Sequence, residues 1–523
     1  MIRDEIENIL EKVTGRVAKV EYPINSEHGD YSTNVAIVAK FKPEDIVAKI
    51  GNNSLFEKIE VKNGFINFFV SKEYLHGQVK EVLKQKDKFG NLDFGKGIKT
   101  QVEFISANPT GPLTLGNGRG GFCGDVLSNV LTKSGYEVER EYYVNDRGGQ
   151  IKQLGHSVIG DEQAVYKGDY IEELRTKLKP KQGDDPAKLG QKAAKDILDR
   201  MIEPITQRMG IKYDQWFLES NLYNKKEVVK VLDYLKKKDL TYEKEGALWF
   251  RSTKYGDEKD RVLIKADGEK TYLASDVAYL KNKKDRGFDK IIYFWGADHH
   301  GYVARLKAAA QALGYDKKNV EIILMQLVKL FRDGKEVKMS KRAGVYITLD
   351  ELLDEVSVDV ARFFFLMHSA NRHMNFDMDL AKEQSDKNPV YYVQYAHARI
   401  CSILAKAKRK SSIKDNVSAL KHLSELGLIK QLIKFSEIVE DTAKDYQLQR
   451  LPKYATDLAS AFHRFYTDCR VLPVDGAREG SGTCLTPKLT PKLTQARLAL
   501  VEATGIVLKN TLDIMGVSAP EKM

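Results

Sequence analysis

The sequence predicts an α/β protein built around a parallel sheet, with a small α/β domain before it and an α-helical bundle after it. Three observations carry that reading. A strand–turn–helix–strand succession from Gln101 to Val144 is the way a parallel sheet begins. Strand and turn signals return between about 247 and 350. From Asn388 to the end, apolar residues recur at helical spacing with few strand signals. A chain of 523 residues has room for about three domains.

Residues 1–97 form the first predicted domain. MIRDEIENILEKV opens as a surface helix and lacks the apolar core of a signal peptide. The turn-rich HGDYSTN (28–34) follows, then VKNGFINFFV (61–70), a strand with a break at Gly64. KEVLKQKDKFGNLDFGKG, ending near Gly97, reads as a linker. The second domain, 98–387, starts with VEFI as a buried strand, a turn rich in Pro and Gly, a helix through Asp125 to Leu131, and the strand EVEREYYV. Residues from about 156 to 245 read as a helical insertion with charged faces, and Asp267-Gly268 and Asp333-Gly334 as hairpin-like turns. The third domain, 388–523, is helical. Its tandem LTPKLTPKLT (485–494), preceded by GAREGSGT, reads as a solvated inserted loop with no assigned function.

Composition narrows the class. Hydrophobic residues at 42% and charged residues at 30% fit a globular protein with a sizeable core. No run of about 18 apolar residues occurs, so no membrane span is expected. Cys123, Cys401, Cys469 and Cys484 are scattered with no pair at metal-ligand spacing, which predicts reduced thiols in a cytoplasmic protein and no protein metal site. A net charge of +11 favours a polyanionic partner, although many basic proteins bind no nucleic acid.

Two segments carry chemistry. SANPTGPLTLGNGRGG (106–121) lies between a strand and a helix, where glycines admit phosphates close to the backbone and a helix N-terminus offers unpaired N–H groups. Gly116, Gly118 and Gly121 fit G-x-G-x-x-G, with Glu137 or Glu139 about 20 residues on as a ribose-holding acid. On this segment alone a phosphate site for ATP, a nicotinamide dinucleotide site and a packing turn stand equal. GKEVKMSKRAG (334–344) then places Lys338, Lys341 and Arg342 on a loop after a hairpin, where cations can close over ATP phosphates and stabilise charge developing on pyrophosphate. An ordinary basic loop is the bland alternative for a random KxxKR; here the string is KMSK, and a nicotinamide enzyme has no use for it.

At this point the chain resembles the class I aminoacyl-tRNA synthetases, whose Rossmann-like catalytic domain carries a His-x-Gly-His motif after its first strand and a Lys-Met-Ser-Lys-Ser loop after its last. Thr114-Leu115-Gly116-Asn117 stands in place of the first, and Lys338-Met339-Ser340-Lys341-Arg342 in place of the second. Both histidines are replaced, by residues that donate hydrogen bonds without carrying charge, a form similar to that of some tryptophan-specific members. VEFISANPTGPL, YYVNDRGGQI (142–151), Tyr272-x-x-x-Asp276 in KTYLASDVAYL, NPVYYVQYAHARI (388–400), HGDYSTN and FYTDCRVL (465–472) resemble segments of the arginine-specific members, over essentially the whole chain.

The resemblance implies activation of L-arginine with ATP and Mg²⁺ to arginyl-adenylate, then transfer to the 3′ end of arginine tRNA, by a cytoplasmic monomer that needs tRNA even for the first step. It implies that Glu103, Tyr272 and Asp276 grip the arginine side chain, and that Ser106 and Asn108 hold its α-amino group. A permanently charged planar guanidinium calls for carboxylates able to accept paired bonds. Tyr272 and Asp276 lie four apart, on one helix face, and Glu103 sits in a buried strand where an unpaired charge is costly. Thr114, Gly116 and Asn117 with Lys338 and Lys341 are the expected catalytic set. Pro109, Gly111, Gly118, Met339, Ser340, Asp298 and His299 are expected at the ATP. Asp298, His299 and His300 follow the apolar strand IIYFW, with no third ligand at close spacing, so they read as lining the ligand end of the sheet.

Tyr391, Tyr395 and Arg399 fall at i, i+4 and i+8 on a helix and can stack and hold unpaired bases; for any one of them a place in the bundle core is as good a reading. The resemblance assigns this bundle, with the terminal Met523, to the anticodon loop and the first domain to the outer corner of the tRNA. A cysteine-specific relative would need zinc-ligand cysteines, and an isoleucine, leucine or valine enzyme a large editing insertion; neither is present. The rival of another class is a catalytically inactive RNA-binding paralogue, against which the intact KMSK argues.

Overall fold

The computed structural model describes residues 1–337, 347–407, 417–473 and 489–523. The chain forms two compact units, one of residues 93–384 with 446–449, the other of residues 1–92, 385–445 and 450–523.

The first of these units is organised by a five-stranded sheet in the order Val320–Met325, Lys290–Gly296, Lys99–Glu103, Glu137–Val144, Gln215–Leu218, with every pairing parallel. This is the doubly wound order expected of a Rossmann-like domain: the earliest strand lies in the middle and the chain winds outward on either side. VEFI is shorter as a strand than its sequence suggests, because the ladder stops at Glu103 and both Ile105 and Ser106 adopt positive φ, 65° and 42°. The following helix, Leu115–Lys133, is buried along most of its length. The region from about 156 to 245 is not wholly helical, since Gln215–Leu218 joins the central sheet. Helices Gly149–Ile159 and Pro186–Ile197 cross at Gly155 and Gly190, where a Cβ on either would strike the other's backbone. Asp333 and Gly334 turn a hairpin between Val328–Arg332 and Lys335–Val337 as expected.

In the second unit, the predicted strand at 61–70 is a hairpin, Phe56–Lys62 against Phe65–Val70, turned at Asn63 and Gly64 with φ of 53° and 81°. The start of the expected linker, residues 80–85, belongs to the helix Lys72–Gln85, which buries Leu75, Val79, Val82 and Leu83. Among the described residues four α-helices follow: Pro389–Lys406, Leu423–Asp445, Arg450–Asp468 and Pro491–Met515. The second copy of the LTPK repeat is not loop: Thr490 Oγ1 accepts from Leu493 N–H at 3.1 Å and Pro491 begins the last helix. The N-terminal residues pack on these helices through a buried polar cluster. Glu437 accepts from Tyr22, from Tyr31 Oη at 3.1 Å and from Arg3 N–H at 3.2 Å, while the Arg3 guanidinium reaches Glu440 at 2.6 Å and Asp441 at 2.9 Å. No helix among the described residues is long and apolar enough to cross a membrane.

Candidate active site

The crevice where ligands bind in an open parallel sheet lies at the carboxyl ends of the strands where the winding direction changes, here the ends of Lys99–Glu103 and Lys290–Gly296. The chain leaves Glu103 through a tight turn in which Ser106 N–H donates to the Phe104 carbonyl at 3.0 Å. Ser106 Oγ donates to Glu103 Oε1 at 3.2 Å and accepts from Tyr143 N–H at 3.1 Å. A hydroxyl has one proton and two lone pairs, so a lone pair of Ser106 remains, suited to an ammonium. Asn108 donates to Gln150 Oε1 at 2.5 Å. Beyond the buried Pro109, Tyr170 Oη donates to the Thr110 carbonyl at 3.0 Å, and a Cβ at Gly111 would lie 3.1 Å from that hydroxyl.

Thr114 caps the Leu115–Lys133 helix, and both its N–H and its hydroxyl donate to Asn117 Oδ1 at 2.9 Å. The glycines divide by role. Gly116 is exposed at the helix start. A Cβ at Gly118 would come within 2.7 Å of Leu349, one at Gly121 within 2.8 Å of Ile105, and one at Gly124 would strike the Phe104 ring. Three of them therefore let chain segments approach the helix, and the G-x-G-x-x-G spacing does not mark a dinucleotide site. The acids proposed for its ribose are misplaced as well: Glu137 opens its strand, at the end away from the crevice, and Glu139 is paired with Arg286. Lys338, Met339, Ser340, Lys341 and Arg342 lie outside the described residues. Their flanks are described: Val337 ends a hairpin strand, while Thr348 bridges to Thr114 and Leu349 N–H donates to the Leu113 carbonyl at 2.9 Å. Thr348 and Leu349, which follow the undescribed residues, thus lie beside the helix N-terminus that carries the first motif.

Behind the turn lies a cluster of carboxylates. Glu103, 5% exposed, accepts from Lys283 Nζ at 2.6 Å and from Tyr279 Oη at 2.9 Å, with Lys283 itself 0% exposed. Burial pulls the Lys283 ammonium below its usual range, while Glu103 and Glu141 push it up. Arg286 pairs with Glu141 at 2.6 Å. Glu103 is therefore buried as its strand suggested, and its charge is balanced by Lys283. Tyr272 opens the helix Tyr272–Asp285 and is 66% exposed. One turn later Asp276 accepts from the Tyr302 hydroxyl, and burial, with Glu103 adding to it, pushes its carboxyl up to about 6 against the bond from Tyr302 and the cations of Lys283 and Arg305. Sequence reasoning missed Glu219, which is 5% exposed, feels the charge of Asp276 and is pushed up to about 7, chiefly by burial. With its amide nitrogen turned inward, Asn145 donates to Glu219 Oε2 at 2.7 Å. Asp298 and His299 are exposed on the turn Ala297–Tyr302 that follows Lys290–Gly296, at the crevice end of the sheet.

In the other unit, Tyr391 and Tyr395 present parallel rings 6.4 Å apart with 8° between their planes, both half-buried, and Arg399 lies over Tyr395 at 5.1 Å and Tyr466 at 5.2 Å. The C-terminal segment is laid along this helix, its Ser518 carbonyl accepting from Gln394 at 3.0 Å and its Pro520 carbonyl 2.9 Å from His397 Nδ1; Met523, at the end, is exposed.

Comparison with known proteins bears on these sites. Residues 1–70 match the arginyl tRNA synthetase N terminal domain, residues 78–400 the catalytic domain of tRNA synthetases class I (R), and residues 393–523 the DALR anticodon binding domain. The arginine–tRNA ligase of Carboxydothermus hydrogenoformans is 41% identical over 99% of this chain and 100% of its own length. That of Citrifermentans bemidjiense is 43% identical over 96% of this chain and 94% of its own. A putative arginyl-tRNA synthetase from Campylobacter jejuni superimposes with a TM-score of 0.77 at 33% identity, covering 87% of this chain and 100% of that one. The Thermus thermophilus arginyl-tRNA synthetase shares the fold, with a TM-score of 0.79 at 21% identity over 100% of both chains.

Proposed function

The chain belongs to the arginyl-tRNA synthetases, a class I family, and from that premise we propose how its residues divide the work. It is an arginine–tRNA ligase. The arginine carboxylate attacks the α-phosphorus of ATP to give arginyl-adenylate and pyrophosphate. The terminal ribose hydroxyl of the tRNA then attacks the adenylate carbonyl, releasing AMP. No protein nucleophile is needed; the enzyme supplies position and charge compensation.

Asp276 and Glu219 take the guanidinium, with Tyr272 at the rim. Glu103, balanced by Lys283, acts mainly by holding Ser106, which with Asn108 receives the α-amino group. Thr114, Gly116 and Asn117, with Pro109, Gly111 and Gly118, form the bed for ATP; Asp298 and His299 stand at its ribose and base side. Lys338 and Lys341, with Met339 and Ser340, close on the phosphates. Mg²⁺ enters on ATP, since this ion keeps most of its waters and is commonly held by one or two carboxylates and substrate phosphates; Asp298 would supply such a carboxylate. Tyr391, Tyr395, Arg399 and Met523 meet the anticodon loop and residues 1–97 the outer corner of the tRNA. The enzyme works as a cytoplasmic monomer.

The observation that carries this assignment is the pair of carboxyls at the crevice, Asp276 and Glu219, both pushed up chiefly by burial, with the charge of Glu103 adding to the first and that of Asp276 to the second. A bound guanidinium reverses both effects. Arginine-dependent ATP–pyrophosphate exchange, with and without tRNA, tests it: exchange is expected with arginine alone among the amino acids, and only with tRNA present. Exchange driven by another amino acid refutes the pocket assignment.

A further inference from the structure

We propose that Tyr213 and Tyr142 are positioning residues for amino-acid activation, their hydroxyls holding the Phe104–Ala107 turn in a strained form that presents Ser106 and Asn108 to the substrate. The inference rests on the reading above that these two residues receive the α-amino group.

The strain is specific. Ile105 and Ser106 follow one another at φ of 65° and 42°. Positive φ is rare outside glycine, and for a β-branched residue such as Ile105 it is a true outlier. With Ser106 N–H donating to the Phe104 carbonyl two residues back, Ile105 occupies the centre of the strained, uncommon kind of three-residue turn. Such conformations persist only where the surroundings over-determine them, and they gather at active sites. Here the surroundings are two tyrosines gripping the turn on either side of the strained pair. Tyr213 Oη donates to the Phe104 carbonyl at 3.0 Å, and Tyr142 Oη to the Ala107 carbonyl at 2.9 Å.

Packing aims both hydroxyls. The Tyr213 ring lies 4.8 Å from Phe104 and meets Tyr142 edge-on at 5.4 Å, while Trp216 stacks on Tyr142 at 4.6 Å. Gly121 on the following helix leaves the space that the Ile105 side chain fills. The purpose is visible in Ser106 Oγ, whose proton goes to Glu103 and one lone pair to Tyr143 N–H. Relaxation of the turn to negative φ would redirect this oxygen and, two residues on, Asn108.

Tyr213→Phe and Tyr142→Phe each delete one oxygen. Arginine KM in tRNA-dependent pyrophosphate exchange is expected to rise about tenfold or more in each, as small misplacements of a reacting group cost rate steeply. The decisive variant adds Ile105→Gly to Tyr213→Phe. Glycine takes positive φ without strain, so the turn no longer needs the hydroxyl. The double variant should recover arginine KM toward wild type while its Tm falls further, because the isoleucine side chain is lost. A merely structural role predicts the opposite, activity falling together with Tm. Unchanged KM in both tyrosine variants, or a double variant no better than Tyr213→Phe, overturns the proposal. Ser106→Ala separates this from the reading beneath it. If Ser106→Ala raises arginine KM and the tyrosine variants do not, only the positioning claim fails. If none of them does, the assignment of Ser106 fails as well.

Discussion

Arginine capture should titrate. Asp276 and Glu219 are pushed up to about 6 and about 7, in each case first by burial. Guanidinium stays charged throughout the accessible range, so on the proposed assignment protons and substrate compete for the same carboxylates, and arginine binding should release protons as pH falls toward these values. Between pH 7.5 and 5.5 the ionised fraction of a group titrating at about 6 drops about fourfold, and that of a group at about 7 about 25-fold. If both must be ionised, kcat/KM for arginine falls about 100-fold over that interval, and about fourfold if Asp276 alone matters. The assay is tRNA-dependent pyrophosphate exchange at saturating ATP, with arginine varied at each pH. kcat/KM reports the free enzyme, the state to which these values belong. Asp276→Asn should raise arginine KM far more than that of ATP, by about 2–4 kcal/mol for a lost charge-assisted contact. It should also move the remaining acid limb to lower pH, because Asp276 is one of the charges holding Glu219 up. A profile flat down to pH 5, or one that Asp276→Asn leaves in place, would show that these carboxylates do not read the substrate.

Three further outcomes are expected. Lys341→Ala should lower kcat for adenylate formation about 100-fold or more with arginine KM nearly unchanged, since a charge that acts on the departing pyrophosphate works in the transition state; equal kcat would return the segment to an ordinary basic loop. Arg399→Ala should weaken arginine tRNA binding and reduce the slope of log K against log salt by about one, if its guanidinium meets a phosphate, whereas filter binding with an unaltered slope would place Arg399 in the bundle alone. Arg497→Leu should cost about 3–5 kcal/mol of stability, because the guanidinium and its partner Glu425, 2.7 Å away, are each only 1% exposed and the carboxylate would stay buried without its counter-charge, held by the N–H groups of Lys421 and His422; urea unfolding reads it, and a loss under about 1 kcal/mol would mean that those N–H groups suffice.

What could be read from the sequence was local, and what could not was made by distant contacts or concealed by charge. The strand–turn–helix–strand start was legible because apolar runs and glycines alternate there within a few dozen residues. Helix Lys72–Gln85 was not, because its apolar positions are interleaved with lysines and followed by a true turn-rich stretch. Thr490 and Pro491 are a helix start by their chemistry, but the exact repetition of LTPK drew attention to the copy and away from the cap. QWFL was lost among helices because four residues carry too little periodicity to register, and with it went Glu219, which follows that strand directly. The joining of residues 1–92 to the C-terminal helices rests on contacts such as Arg3 with Glu440, which no local pattern signals.

The glycine-rich segment shows how the same residues support several readings until neighbours are known. Two of its glycines, Gly118 and Gly121, answer to Leu349 and Ile105, and Gly124 just beyond it to Phe104, so two of the three G-x-G-x-x-G positions are explained by packing, and the exposed Gly116 and the helix terminus are left for phosphate. The substitution of both motif histidines belongs to the same picture. Thr114 and Asn117 bind each other, closing the cap of their own helix, and neither carries charge. On the proposed reading, positive charge for the triphosphate must then come from the helix terminus and from the loop lysines, and Thr348 ties the far end of that loop to Thr114 itself. On that reading the neutral pair is an anchor for the chain that follows the KMSK segment, and the burden of charge compensation falls on Lys338 and Lys341.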